Sequence, residues 1–290
     1  VSAYSFIDDK SRLFYNTVIS TSEREAGYVL DGPMHNDDIE TDIHSTDTYG
    51  YSEIVFGLCN SLGIFFAPRI KNYKDQLLYT FKKHGRKHYE KKDFLILPSK
   101  SCVIQENLLM VQWENVLRVL YTIKLKYTKA SEILSRLGSY SKQHPLYRAL
   151  KELGRIYKTI FLLRYLTETP LRQSIVKQLN RVELSHDFAK AVFFAQNQEF
   201  KVSTREEQEI ALSCRHLIQN SIVLWNYMSI SQKLSNVKDS EEHEIILDLL
   251  RGSSIMTWQH INMLGEYNFE ISKRKLPFDI EKILNLKIAA

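Results

Sequence analysis

The chain is poor in the residues that mark several common classes of protein. It has three cysteines in 290 residues, Cys59, Cys102 and Cys214, odd in number and without motif spacing. That excludes a disulfide scaffold, argues against a structural zinc site and points to a reducing compartment. Cys59 falls in an apolar segment and reads as a small core residue. Glycine is scarce, with ten residues, and none precedes a Lys-Ser or Lys-Thr pair. A P-loop, and with it a nucleotide cofactor held in that way, is therefore not expected. No Gly-x-Ser-x-Gly elbow occurs. Nine histidines are scattered; His84 and His88 share the i, i+4 spacing of a helical zinc pair but lack the glutamate that would serve as its base. No apolar run reaches membrane-spanning length and no signal peptide stands at the start, so a cytoplasmic protein with no membrane partner is expected. There is no initiator methionine, and Val1-Ser2-Ala3-Tyr4 resembles the middle of a strand. A fragment is expected.

What is present supports a folded core: 44% of residues are hydrophobic. The formal net charge of +5 permits a polyanionic partner without proving one. Residues 1 to 70 read as mixed α/β. Ser11 to Ser20 is rich in β-branched and aromatic residues, and Ala26 to Leu30 is a second short apolar segment ended by Asp31-Gly32-Pro33 as a turn. The two are expected to pair as antiparallel strands. Tyr51, Ile54, Val55, Leu58 and Leu62 make the stripe of a helix over Tyr51 to Leu62, stopped by Gly63. Ile64 to Ile70 reads as a buried strand that ends in Pro68 and Arg69.

Between residues 71 and 93, Lys71, Lys74, Lys82, Lys83, Arg86, Lys87, Lys91 and Lys92 interleave with Tyr73, Tyr79, Phe81 and Tyr89. That pattern suits a phosphate backbone with unstacked bases. A solvated helix face accounts for it equally well. From Glu106 onward the pattern is helical. Leu108 to Ile123 forms a long apolar band, and further helices are expected over about Ala130 to Leu137, Leu146 to Leu166, Leu171 to Glu183, Asp187 to Ala195, Arg205 to Leu234 and Glu241 to Leu250. Pro170 suits a first helical turn. Lys273, Arg274, Lys275, Lys282 and Lys287 mark a loosely docked tail.

Two carboxylates stand out. Asp47 lies between Thr46 and Thr48, just ahead of the helix at Tyr51, and a carboxylate at a strand end beside a helix start is a common place for a metal ligand in phosphoryl-transfer enzymes. Glu183 falls one turn beyond Leu179 on the stripe Leu171, Ile175, Leu179, Val182, at the border of the expected buried face. By periodicity alone, an ordinary surface glutamate is the better reading of Glu183.

Four blocks, in order, carry a resemblance to one family. They are Tyr28-Val29-Leu30-Asp31-Gly32 with Thr46-Asp47-Thr48-Tyr49-Gly50-Tyr51; Leu62-Gly63 with Phe66-Ala67-Pro68-Arg69-Ile70; Leu137-Gly138-Ser139-Tyr140 with Ala149 to Ile156, Leu179-Asn180-Arg181-Val182-Glu183 and Ala191-Val192-Phe193-Phe194; and Ile222 to Asn226 with His260 to Tyr267. Over nearly its whole length the chain resembles the catalytic region of the large replicative transposases of the Tn-three family, the bacterial class II transposons. The resemblance implies an α/β fold of the DDE kind: an RNase H-like mixed sheet with a large all-helical insertion and a helical C-terminal part. It implies residues 1–70 as the sheet core without its first strand, 71–168 as a basic and helical insertion, 169–200 as the glutamate-bearing helices that complete the core, and 201–290 as a helical C-terminal region. The second catalytic aspartate falls on Asp47 and the glutamate on Glu183, 183 − 47 = 136 residues apart. The first aspartate belongs to a strand before the one that opens here, and Asp8 and Asp9 do not replace it. After Glu183 the chain reads Leu184-Ser185-His186, where many members have Arg-Asn or Tyr-Asn, so His186 takes the place of the asparagine.

The implied chemistry is DNA 3′-end cleavage and strand transfer. It uses two Mg2+ ions about 3.5–4 Å apart, held by Asp47 and Glu183, with Arg69, Lys71, Arg181 and His186 as candidate DNA-binding residues. The implied partners are transposon ends and target DNA, with a homodimer in the full-length enzyme. A truncated, inactive transposase remnant that still binds DNA or a partner is the alternative. A helical scaffold of unrelated function would leave the ordered blocks as coincidence.

Overall fold

The computed structural model describes residues 2–20, 25–36, 39–84, 86–92, 94, 96–139, 144–193, 199–266, 268, 270 and 277–286. In chain order its elements are β1 (Ser2–Ile7), β2 (Leu13–Ile19), α1 (Asp31–Met34), β3 (Ile43–His44), α2 (Glu53–Ser61), β4 (Phe65–Phe66), α3 (Arg86–Glu90), α4 (Glu106–Lys124), α5 (Ala130–Ser139), α6 (Pro145–Thr167), α7 (Thr169–Val192), α8 (Arg205–Asn236), α9 (Ser240–Arg251) and α10 (Ile280–Leu284). The fold is mixed α/β and mostly helical, with two small sheets among the described residues. The chain packs as two units, one of Val1–Tyr4 and Ile19–Leu179, the other of Ser5–Val18 and Asn180–Ala290.

The first unit is built on a parallel strand–helix–strand motif, β3–α2–β4. Ile43 pairs with Phe65 and His44 with Phe66. The ladder runs further than the two-residue strands: the amides of Phe65, Ala67 and Arg69 donate to the carbonyls of Asp42, His44 and Thr46 at 2.8, 2.8 and 2.9 Å. Only alternate residues donate, so Pro68, which has no N–H, sits where no ladder bond is lost. Ser52 caps α2 by accepting from the Val55 amide, and Gly63, at φ +92°, turns the chain out of it. Every residue from Ile54 to Cys59 is buried. The helix is therefore covered on all sides rather than on the single stripe expected of it.

The cover comes chiefly from α6, and the fit depends on two glycines. A Cβ added at Gly154 would lie 1.5 Å from the Glu53 carbonyl oxygen; one at Gly57 would lie 3.0 Å from the Gly154 nitrogen. The two helices meet backbone against backbone. Around them Phe56, Phe66 and Phe161 interlock, with Phe56 4.9 Å from Phe66 and 5.4 Å from Phe161 between ring centroids. The first part of α7 adds Leu171, Ile175 and Leu179 to this core.

Two expected features differ. Ala26 to Leu30 is not a strand: Glu25–Gly27 is a 3-10 turn that leads through Tyr28–Leu30 into α1. Val29 and Leu30 are both fully buried, and a short run buried at consecutive positions carries no period to tell strand from turn. The partner of β2 is instead β1; a connection as short as residues 8–12 makes the pair antiparallel. The expected helices at Leu171–Glu183 and Asp187–Ala195 are one, α7. No glycine or proline interrupts Leu184-Ser185-His186, so the helix continues. Tyr140, Phe194, Tyr267, the tail cations Lys273, Arg274 and Lys275, and Lys287 lie outside the described residues.

In the second unit, Phe188 of α7, Ile222 and Val223 of α8, and Met256 form a smaller core. Phe188 stacks on Trp258 at 5.2 Å. Asn220 of α8 bonds both the amide and the carbonyl of Leu13, at 3.0 and 2.8 Å, and so ties the β1–β2 hairpin to the helix.

The α2–α6 contact makes a direct prediction. Gly154→Ala should cost about 3 kcal/mol or more, because the clash is with rigid backbone. Gly57→Ala should cost less, about 1–2 kcal/mol. Urea unfolding followed by circular dichroism checks the order; equal midpoints for the two variants would contradict the packing.

Candidate functional site

Asp47 directly follows the last residue of the parallel ladder. Thr46 accepts from the Arg69 amide at 2.9 Å, so Asp47 stands at the carboxyl end of the β3 line with Arg69 at the carboxyl end of the β4 line beside it. Both side chains are exposed, and exposed Lys71 follows two residues on. In α/β sheets this edge is where ligands bind, because strand ends and loops converge there. The Asp47 carboxylate accepts from the Thr48 amide at 2.6 Å and starts the 3-10 turn Thr48–Gly50. That holds the side chain at the head of the turn that leads into α2. Beneath it Thr46 is buried, and its hydroxyl has no hydrogen-bond partner among the described residues. Two residues before Thr46, burial pushes the His44 imidazole down to about 4, so it is neutral at pH 7.

The edge is braced from α6. Glu53, in the first turn of α2, accepts from Tyr79 Oη at 3.1 Å and from Arg155 Nε at 3.3 Å, and lies 3.5 Å from Lys151 Nζ. Arg155 also pairs with buried Glu152, and its guanidinium covers the Tyr79 ring at 4.8 Å. Burial first, and the Glu53 charge second, push the Tyr79 hydroxyl up to about 12. A second brace starts at Asp31. This fully buried carboxylate accepts from the amide and the hydroxyl of Ser131, joining α1 to the first turn of α5. Burial raises its pKa. Neither brace was anticipated from the sequence. An aspartate directly after the apolar run Tyr28–Leu30 was the available signal for the second.

Glu183 and His186 belong to the second unit, on the later part of α7. There the buried positions are Ser185 and Phe188, and Glu183 is exposed. The four-residue spacing of Leu171, Ile175 and Leu179 is not continued, and Glu183 is farther from a buried face than that spacing suggests. Gln219 of α8 donates to the Ser185 carbonyl at 3.2 Å. Burial lowers the His186 pKa, and the Arg215 and Lys190 charges lower it further, which leaves it neutral at pH 7. Arg181 lies on the same stretch and is half-buried. The structure thus gathers Asp47, Arg69 and Lys71 at one sheet edge, and Glu183, Arg181 and His186 on one stretch of α7.

Among the described residues, no three His, Cys, Asp or Glu side chains cluster as a metal site. The exposed carboxylates of Asp47 and Glu183 are nonetheless hard oxygen donors, the chemistry that magnesium takes. Among the described residues, no helix is long and apolar enough to cross a membrane.

A parallel strand pair thus carries a carboxylate and an arginine on its carboxyl edge, inside a mostly helical α/β chain. Comparison with known sequences is specific. The family described as Tn3 transposase DDE domain matches residues 1–267, and the chain belongs to that family. It is 37% identical over 272 residues to the transposase for transposon Tn1546 of Enterococcus faecium, and 33% identical over 272 residues to the transposases for transposon Tn501 of Pseudomonas aeruginosa and transposon Tn21 of Escherichia coli. Each alignment takes in 93% of this chain and 27% of the relative. The chain therefore spans about a quarter of the length of these relatives.

The second unit carries a pH prediction. His216 is buried, its Nε2 2.8 Å from Ser5 Oγ and its Nδ1 3.4 Å from Asn16, and burial followed by the Arg215 charge holds its pKa down at about 4. Between that value and the ordinary 6.5 the unfolded chain binds a proton that the fold does not. The stability is whole above about pH 6.5 and is lost as pH falls toward 4, on the order of 2–3 kcal/mol. Amide protection factors on α8, corrected for the intrinsic exchange rate at each pH, should fall as pH falls through that window. In His216→Asn the dependence should be shallower; an unchanged slope would contradict the assignment.

Proposed function

We propose that the chain is the catalytic part of a DDE-type DNA transposase, with an RNase H-like core interrupted by the helical segment 71–168 and completed by 169–200. Its reaction is metal-dependent 3′-end cleavage of DNA followed by strand transfer in replicative transposition. The observation that carries the reading is the position of Asp47, at the carboxyl end of a parallel strand, next to Arg69, in a chain of the Tn3 transposase DDE family.

The residues divide the work as follows. Asp47 and Glu183 would hold Mg2+. The metal, when bound, neutralises charge on the phosphate and favours the ionised form of an attacking oxygen. Arg69 and Lys71 contact the phosphates at the sheet edge, and Arg181 contacts them from α7. His186, neutral at working pH, orients a phosphate or water oxygen by a hydrogen bond rather than by charge. Each step is an in-line exchange at phosphorus, one P–O bond forming as another breaks. Cleavage frees a 3′-hydroxyl at the transposon end, and that hydroxyl attacks a target phosphodiester. The partners are transposon ends and target DNA, with no nucleotide cofactor. The full-length enzyme acts in the cytoplasm as a homodimer.

Asp47→Ala in the full-length enzyme should reduce Mg2+-dependent cleavage of a transposon-end duplex to the level seen without metal, with end binding largely intact. Glu183→Gln should do the same. Normal strand transfer by either variant would sink the assignment. Binding without cleavage by the unsubstituted enzyme would favour an inactive remnant.

A further inference from the structure

The basic segment after β4 forms a built cleft that the catalytic reading does not use. Its floor is tied down on three sides. Leu78 and Ser99 exchange bonds, amide to hydroxyl at 3.0 Å and amide to carbonyl at 2.9 Å. Thr80 is bridged to the segment of Cys102 and Ile104 at 3.0 and 2.9 Å. The Tyr79 amide donates to Thr159 of α6 at 3.0 Å. The resulting cleft, of about 210 Å3, is lined by Phe81, Tyr89, Pro98, Ile104, Ile160 and Leu163 among others. Its walls are apolar and aromatic, and Phe81 and Ile160 remain 41% and 48% exposed. Arg86, paired with Glu90 at 2.7 Å and bonded to the Pro98 carbonyl at 3.1 Å, holds α3 against the far wall.

The charge around the cleft selects its occupant. Between Tyr79 and Lys100 there are seven lysines and arginines and two acidic residues, a net of +5. The whole chain carries 39 − 34 = +5. This one segment therefore holds the entire net surplus, and the rest of the chain sums to zero. Lys82, Lys83, Lys87, Lys91 and Lys92 are all exposed. A purely apolar guest would leave that charge unanswered. A duplex answers the charge but keeps its bases stacked and out of the cleft. A guest with an apolar flat face on a polyanionic chain answers both.

We propose that the cleft between α3, α6 and segment 96–104 receives an unpaired base of single-stranded DNA, with the adjoining phosphates on Lys82, Lys83 and Lys87. The site needs neither Asp47 nor Glu183, so it stands or falls apart from the catalytic reading.

Fluorescence anisotropy of the 290-residue chain with a short labelled oligothymidine tests it. Single strand should bind more tightly than a duplex of equal length, and an abasic strand of the same charge should lose most of that gain. Phe81→Ala should weaken single-strand binding roughly ten-fold with little change in salt dependence. Ile160→Asp, which sets a carboxylate in the cleft, should weaken it as well; both positions are exposed enough for the fold, checked by circular dichroism, to survive. Lys83→Ala should lower the salt slope by about 0.7. Asp47→Ala should leave all of this unchanged. Equal affinity for single strand, duplex and abasic strand, or unaltered binding by both Phe81→Ala and Ile160→Asp, would overturn the proposal. So would displacement of no DNA but capture of an acidic apolar peptide at the cleft.

Discussion

Contact between the Glu53 carbonyl and the Cα of Gly154 sets the distance between α2 and α6, and much of the first unit follows from that distance. The helix α2 links the two parallel strand lines, so wherever α6 holds it, the carboxyl ends of those lines are held too. Glu53 lies six residues beyond Asp47, in the first turn of the same helix. The groups that bind Glu53, namely Tyr79, Lys151 and Arg155, therefore brace the approach to the Asp47 turn from below. The ion pairs contribute through geometry more than through Coulomb energy, because Arg155 serves half-buried Glu53 and buried Glu152 together and leaves neither carboxylate without a cation. A backbone contact and a bridging arginine do here what a broad sheet does in larger α/β proteins.

Sheets this small cannot hold themselves together. A pair of short strands is marginal in water, and each pair here is completed by a helix and by a polar clamp from far along the chain. The β3–β4 pair has α2 and α6. The β1–β2 pair has Asn220, whose side-chain amide satisfies both backbone groups of Leu13 as a neighbouring strand would. Asn226 repeats the device, donating to the carbonyls of Ile255 and Thr257 at 2.8 and 2.7 Å. Such clamps explain why α8 buries Gln208, Gln219 and Asn226 among its apolar residues, whereas its buried His216 meets the side chains of Ser5 and Asn16. The cost of burying them is offset where each meets backbone that would otherwise be unpaired.

Much of this was legible in the sequence, and the reasons differ by element. The helices α4, α5, α6, α8 and α9 were visible because a 3.6-residue period persists over many turns. The strand line ending at Arg69 was visible because Ile64–Ala67 is an unbroken apolar run closed by Pro68. The position of Asp47 at a strand end was readable from Thr46-Asp47-Thr48 and the helix signal after it. What escaped was information held only in long-range pairs. Tyr28–Leu30 looked like a strand because nothing nearby reveals that Asp31 will be buried against Ser131, 100 residues away. The Gly57–Gly154 contact was hidden for the same reason: nothing in the sequence near either glycine points to the other. Glu183 was placed nearer a buried face than it is, because α7 exchanges Leu171, Ile175 and Leu179 for Ser185 and Phe188 as the residues it buries, and that exchange depends on what packs there rather than on the period.

The central proposal is that Asp47 and Glu183 are both ligands of the divalent metal. Iron(II)-directed hydroxyl-radical cleavage of the full-length enzyme tests it most directly, since a bound iron cuts only the backbone beside it. The account predicts cuts next to Asp47 and next to Glu183 together, both suppressed by excess Mg2+ and both lost in Asp47→Ala. Cuts at one position alone, or a Glu183 cut that survives Asp47→Ala undiminished, would contradict it.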